Sequence, residues 1–101
     1  MTTMYNPPHP GEFIKETYII PLNISLRTAA EKLDVSPSTF SRLIKGESDI
    51  SPEMALKLHK AFGRMPESWM AMDAAYKLWE AGKKINLARV AVIYSHAHSL
   101  I

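Results

Sequence analysis

Ser25-Leu26-Arg27-Thr28-Ala29-Ala30-Glu31-Lys32-Leu33-Asp34-Val35-Ser36-Pro37-Ser38-Thr39-Phe40-Ser41-Arg42-Leu43-Ile44-Lys45-Gly46 is the stretch on which the fold turns. Leu26, Ala29, Ala30 and Leu33 fall at i, i+3, i+4 and i+7, the spacing of one helix face. Ser25 precedes them with a hydroxyl able to cap the free N–H groups of a first turn. Asp34 and Val35 interrupt the period. Ser36 is then a second cap, and Pro37 suits a first helical position because it has no N–H to leave unbonded. Phe40, Leu43 and Ile44 make the inward face of a short second helix, and Gly46 closes it as a residue at ease with positive φ. Two short helices joined by a tight turn, with their apolar faces on one side, predict a helix-turn-helix over 25–45.

Such a unit needs a small residue where the helices touch, and Ala30 sits mid-face on the first. It needs a turn residue tolerant of left-handed backbone; Asp34 is acceptable there, although glycine is easier. The outward side of the second helix reads Ser36, Pro37, Ser38, Thr39, Ser41, Arg42 and Lys45. Small side chains permit close approach to a major groove, and hydroxyls bond bases or phosphates equally well. Arg42 is the first candidate for base readout, since its fork matches guanine. Pro37 offers only shape or an apolar contact. Arg27, in the first turn of the preceding helix, is placed to meet phosphate with nearby backbone N–H groups.

Outward from this core the same punctuation recurs. Pro10 opens a helix with Glu12 in its first turn, expected to run to about Ile20, where Pro21 ends it. Ser51-Pro52-Glu53 starts a fourth helix lined by Met54, Leu58, Ala61 and Phe62 and ended by Gly63. Pro66-Glu67 opens a fifth, to about Ala81. No period-two strand with hairpin chemistry occurs through residue 82. The fold class expected is all-α: a five-helix domain with a helix-turn-helix over 9–81, with an N-terminal arm at 1–8 and a C-terminal extension at 82–101.

Composition narrows the function. The chain has 101 residues, 47% of them hydrophobic, enough for one core without staples. It contains no cysteine, which excludes disulfides and thiolate metal sites. No secretion-signal plan is visible at the start, and no apolar run approaches the roughly 18 residues of a membrane span, so a cytoplasmic protein without membrane contact is expected. Net charge is only +2, but it is unevenly placed. Residues 25–46 carry Arg27, Lys32, Arg42 and Lys45 against Glu31 and Asp34, and the segment after residue 82 carries Lys83, Lys84 and Arg89 against no acid. A dimer would double both patches, which favours a polyanion partner. Ser, His and Asp occur, but no strained nucleophile turn or phosphate-cradling glycine loop surrounds them, so no enzyme and no cofactor are expected. His96 and His98 form a His-Ala-His that lacks further ligands and is read as a plain terminal segment, leaving no metal site.

Four blocks in order carry a family likeness: Asn6-Pro7-Pro8-His9-Pro10-Gly11-Glu12-Phe13-Ile14, Val35 through Gly46, Ile50-Ser51-Pro52-Glu53-Met54-Ala55-Leu56-Lys57-Leu58, and Pro66-Glu67-Ser68-Trp69-Met70. Over residues 6 to 81 the chain resembles the HigA-type antitoxins, within the wider phage-repressor-like helix-turn-helix class. The resemblance implies a dimer that binds a palindromic operator in double-stranded DNA and represses its own operon. It also implies a toxin partner, a small RNA-cleaving enzyme encoded alongside. The family's DNA-reading positions fall here on Ser36, Pro37, Ser38, Ser41 and Arg42, with Lys45 near the backbone. Two departures stand out: Asp34 replaces a customary glycine, and Met65 takes a cap position where serine or threonine is usual. A stand-alone repressor without a toxin, or an adaptor that has lost DNA binding, would share the same domain.

Met65, Trp69, Met72, Tyr76 and Trp79 step by 4, 3, 4 and 3 along the fifth helix. That seam is core in part, and Trp69, Met72, Tyr76 and Trp79 are the candidates for a dimer interface. The segment from Ile85 onward is either an ordered extension, packed on its own domain or on a twin, or an arm that orders on a partner. Its apolar content favours the first.

Overall fold

The computed structural model describes residues 6–94 and holds five helices, with no strand among the described residues. The first, α1, is one continuous rod built from Pro10–Ile14 in α form, Lys15–Ile19 in π form and Ile20–Leu22 in α form again. Four more follow: α2 (Leu26–Leu33), α3 (Pro37–Ile44), α4 (Pro52–Phe62) and α5 (Pro66–Lys84). The residues Met1–Tyr5 and those from residue 95 on, which include His96 and His98, lie outside the described residues.

Pro21 does not end α1 where the sequence rule places the stop. A proline ring collides with the carbonyl four residues back and offers no N–H. Here the turn ahead of it is widened, with the Ile20 N–H donating to the Lys15 carbonyl, and the rod runs on past Pro21 to Leu22. Asn23 then reverses the chain with φ 54°, and the Ile24 N–H donates back to the Ile19 carbonyl at 3.3 Å.

Every helix contributes to one core. Ile14 and Ile19 come from α1, Ala29, Ala30 and Leu33 from α2, Phe40 and Leu43 from α3, Met54, Ala55 and Leu58 from α4, and Trp69 from α5. Around its edge Tyr18 stacks on Phe62 with ring centroids 4.2 Å apart, and Phe13 meets Trp69 edge to face at 5.9 Å. The Arg64 guanidinium covers the Phe13 ring at 4.8 Å while donating to the Ser68 hydroxyl. On the opposite flank the buried Asp73 carboxylate receives Lys77 Nζ at 2.9 Å, and the same ammonium reaches Asp49 at 3.2 Å, tying α5 to the loop ahead of α4. The hydrogen bond to Asp73, then that to Asp49, holds the Lys77 ammonium above its ordinary pKa.

Gly11 sets how closely α1 crosses the end of α3. A Cβ there would land on the Leu43 carbonyl oxygen and lie 2.9 Å from the Ile44 Cα, both of them backbone that cannot swing aside. The helices therefore meet backbone to backbone. His9 caps this start, its Nδ1 accepting the Gly11 N–H at 2.8 Å.

The long helix α5 outlasts the expected end at Ala81 by three residues, to Lys84. After it, Ile85–Tyr94 neither forms a helix nor packs on its own domain: Leu87, Val90, Val92 and Ile93 are 60%, 68%, 79% and 98% exposed. That part of the expectation for the extension is corrected. The core is already closed by Trp69 and its neighbours without any side chain from this segment.

Two outcomes test this account. Gly11→Ala should cost about 1–3 kcal/mol through forced separation of α1 and α3, seen as a lower urea midpoint with an unchanged slope. Met65 makes no side-chain cap and is 57% exposed, so it can be replaced without opening the core. Met65→Ser should raise stability by about 0.5–2 kcal/mol in the same titration.

Candidate nucleic-acid interface

The two helices of the motif begin with the same local chemistry. At α2 the Ser25 hydroxyl accepts the Thr28 N–H at 3.0 Å and donates to the Thr28 hydroxyl at 2.9 Å. At α3 Ser36 accepts the Thr39 N–H at 3.1 Å and donates to the Thr39 hydroxyl at 2.8 Å. Each serine satisfies an orphan donor that a helix start leaves open, and each threonine steadies the serine in turn. For α3 the consequence is a stiff first turn whose hydroxyls are already engaged. Ser36 and Thr39 therefore act first as caps; Ser38, 3.4 Å from Ser36 Oγ, is only loosely tied.

Asp34 makes the turn between α2 and α3. It adopts φ 59° and ψ 46°, the left-handed conformation the motif demands, and its N–H donates to the Glu31 carbonyl at 3.1 Å. The Val35 N–H closes the loop on the Ala30 carbonyl at 3.0 Å. An exposed carboxylate beside a polyanion would be repulsive if unopposed. From α4, Lys57 Nζ donates to the backbone carbonyl of Asp34 at 2.9 Å while pairing with Glu53 at 3.8 Å, and Lys32 and Lys60 line the same groove. Nothing in the local sequence announces Lys57, which lies 23 residues away.

Phe40 and Leu43 hold α3 from below, at 0% and 1% exposure, while Ala30 at 0% is the close contact between the two helices. Turned away from that anchor, Ser36, Pro37, Ser38, Arg42 and Lys45 are exposed, and Thr39 and Ser41 are half-buried. Arg42 and Lys45 take part in no ion pair among the described residues, so their cationic groups are not spent within the domain. Arg27 is exposed in the first turn of α2. The hydroxyls, the arginine and the lysine picked from the sequence thus share the solvent side of one short, well-anchored helix.

The seam on α5 divides. Trp69 is fully enclosed by its own core, so it is removed from the residues expected to meet a second subunit. Met72 is half-buried against the same core. Tyr76 and Trp79 lie further along, half-buried beside Asn6, Pro7 and His9. Tyr76 donates to Glu80 at 3.0 Å, which with the burial and carboxylates around it raises its hydroxyl pKa, and its ring meets His9 at 4.9 Å.

Fold and exposed helix together define a helix-turn-helix protein. Residues 14–70 match the helix-turn-helix family HTH_3. The HTH-type transcriptional regulator YddM of Escherichia coli (strain K12) is 40% identical over 87 residues, 86% of this chain and 92% of that protein. Antitoxin HigA-1 of Vibrio cholerae is 35% identical over 78 residues, 77% of this chain and 73% of that one. Among solved structures, PA4674 of Pseudomonas aeruginosa, in complex with its 18 bp operator DNA, superposes with a TM-score of 0.75 at 29% identity, covering 79% of this chain and 86% of that one. The chain belongs to the HTH_3 helix-turn-helix family and, within it, to the HigA-type antitoxins.

Because Ser36 supports both the helix start and the outward face, Ser36→Ala should lower stability by about 0.5–2 kcal/mol. Ser36→Asp, which restores a cap acceptor, should recover most of that loss in thermal unfolding.

Proposed function

We propose that this chain is the antitoxin of a type II toxin–antitoxin module: it acts in the cytoplasm, represses its own operon by binding DNA, and neutralises an RNA-cleaving toxin. The observation that carries the DNA half of this reading is the exposed side of α3, where Arg42 and Lys45, without an ion-pair partner among the described residues, stand beside Ser38 and the half-buried Ser41. Arg42 pairs with a guanine edge, Ser38 and Ser41 bond neighbouring bases, and Ser36, Pro37 and Thr39 bring the helix start close to the groove floor. Lys45, with Arg27 and backbone N–H groups, meets phosphates and sets register. Two copies place their recognition helices in successive major grooves about 34 Å apart on a palindromic operator. Met72, Tyr76 and Trp79 belong to the α5 side of the dimer. Support for operator binding comes from PA4674, solved with its operator DNA, and from the Pseudomonas aeruginosa antitoxin HigA, solved with the higBA promoter. Support for the toxin half comes from relatives named as antitoxins.

A second reading is a stand-alone repressor. The relative YddM, 40% identical, carries the name of a transcriptional regulator. The adjacent reading frame separates the two. Under the antitoxin reading its product arrests growth when expressed alone, is silent when this chain is co-expressed, and co-purifies with it. Absence of all three leaves the repressor reading.

On DNA, Arg42→Ala should relax preference at one base pair per half-site and cost about 1–3 kcal/mol there. Lys45→Ala should weaken binding to all sequences alike and reduce the salt slope by about one for each phosphate no longer neutralised. Mobility-shift titrations at several salt concentrations, on operator and scrambled DNA, distinguish these effects. Unchanged binding in both variants would remove α3 from the groove.

A further inference from the structure

Between the end of α1 and the facing sides of α2 and α4 lies a groove of about 670 Å³. Leu22 from α1, Ile24 from the turn after it, Leu33 from α2 and Phe62 from α4 give it an apolar floor, and Leu22 is left 59% exposed there. Its cationic groups are Lys32 on α2 and Lys57 and Lys60 on α4, against one carboxylate, Asp34. A second depression, beside His9 and Tyr76, is lined by Glu12 and Glu80 and by no lysine, so a cationic rim is not a general feature of this surface. The three ammoniums are not equally engaged. Lys57 donates to the Asp34 carbonyl at 2.9 Å and pairs with Glu53 at 3.8 Å, whereas Lys32 and Lys60 enter no ion pair among the described residues. Like charges around a concave apolar wall focus their field into the cleft and draw in an anion.

We propose that this groove binds a small amphipathic carboxylate of the fatty-acid type, its aliphatic body on Leu22, Ile24, Leu33 and Phe62 and its head received by Lys32 and Lys60. Three observations select that occupant. The volume falls among small-molecule sites, which span roughly 300–1,000 Å³. The lining is short: it runs from Ala29 to Asp34 on one side and from Lys57 to Phe62 on the other, about 7.5 Å of helix each. A helix docked in a groove needs anchors from i to i+7, about 10.5 Å, and would overhang both ends. The charge suits a monovalent head. Three lysines face one aspartate, and Lys57 is already shared with Glu53, so little positive charge is left for a dianion. An apolar body alone would satisfy the floor and leave the two unengaged ammoniums without a counter-charge.

The probe is sodium decanoate, kept below its micelle concentration and titrated into the full chain while backbone amide shifts are followed by NMR. Decanoate should saturate at one molecule per chain, with the largest shifts at Ile24, Leu33, Lys60 and Phe62. Decanol, which lacks the charge, and acetate, which lacks the body, should each bind about tenfold more weakly or less. Lys32→Gln with Lys60→Gln should raise the decanoate Kd about tenfold; both side chains are exposed, so the helical spectrum stays unchanged. Ala61→Trp, at an exposed position of the same lining, should fill the groove and abolish saturation with every charge intact. Decyl phosphate should bind no tighter than decanoate. Shifts that never saturate, or that spread over the whole surface, would reduce the effect to detergent-like adsorption and overturn the site. Decanol or decyl phosphate binding more tightly than decanoate, or a Kd indifferent to the double substitution, would overturn the carboxylate head. Saturation untouched by Ala61→Trp would overturn the groove. A chain that ignores decanoate, but whose Ala61→Trp variant no longer captures the co-expressed neighbouring gene product, would assign the groove to a protein segment and equally overturn the proposal.

Discussion

An eight-residue helix does not hold its shape in water, because nucleation costs more than so few hydrogen bonds return. The surface that carries the proposed DNA contacts is such a helix. It persists because Phe40 and Leu43 are driven into a core to which every other helix contributes, each burial contributing about 1.5–3 kcal/mol. The remaining support is at its ends. Ser36 and Thr39 close the first turn, and the backbone of α1, stripped of a side chain at Gly11, lies directly against the last. Anchored beneath, capped in front and braced behind, α3 can present polar side chains that do nothing for its own stability.

The same division of labour explains which polar groups stay free. Hydroxyls at helix starts are drawn into capping, so Ser25, Thr28, Ser36 and Thr39 serve the backbone before they serve a ligand. The cations one and two turns further on have no such demand. Asp34 illustrates the reverse case, in which function tolerates a residue the turn chemistry would not choose. Its left-handed backbone carries the cost of a Cβ, and its main-chain carbonyl is secured by Lys57 from α4. The neighbouring groove is accordingly apolar on its floor and cationic at its rim.

At the other end of the molecule the balance differs. Trp69 completes the core, and the part of α5 beyond Asp73 is freed from packing duty. Tyr76 and Trp79 still find partners in His9 and Lys83, whose ammonium lies 3.9 Å above the Trp79 ring. Past Lys84 the apolar side chains of Ile85, Leu87, Val90, Val92, Ile93 and Tyr94 stand largely exposed among the described residues.

What the sequence by itself determined is whatever depends on neighbours a few positions away. Serine–proline pairs at 36–37 and 51–52 mark helix starts, glycines at 46 and 63 and the aspartate at 34 mark left-handed turns, and 3.6-residue spacing separates Phe40 and Leu43 from Ser38, Arg42 and Lys45. Caps, turns and faces are local chemistry, so they are legible in one chain. Only the tertiary structure decided that Pro21 is bypassed by a widened turn, that Gly11 meets the backbone of α3, that Lys57 secures Asp34, and that Trp69 lies inside while the segment after Lys84 lies outside. Each of these turns on surfaces brought together from distant parts of the chain, or on the space the closed core leaves, and spacing along a sequence carries no record of either.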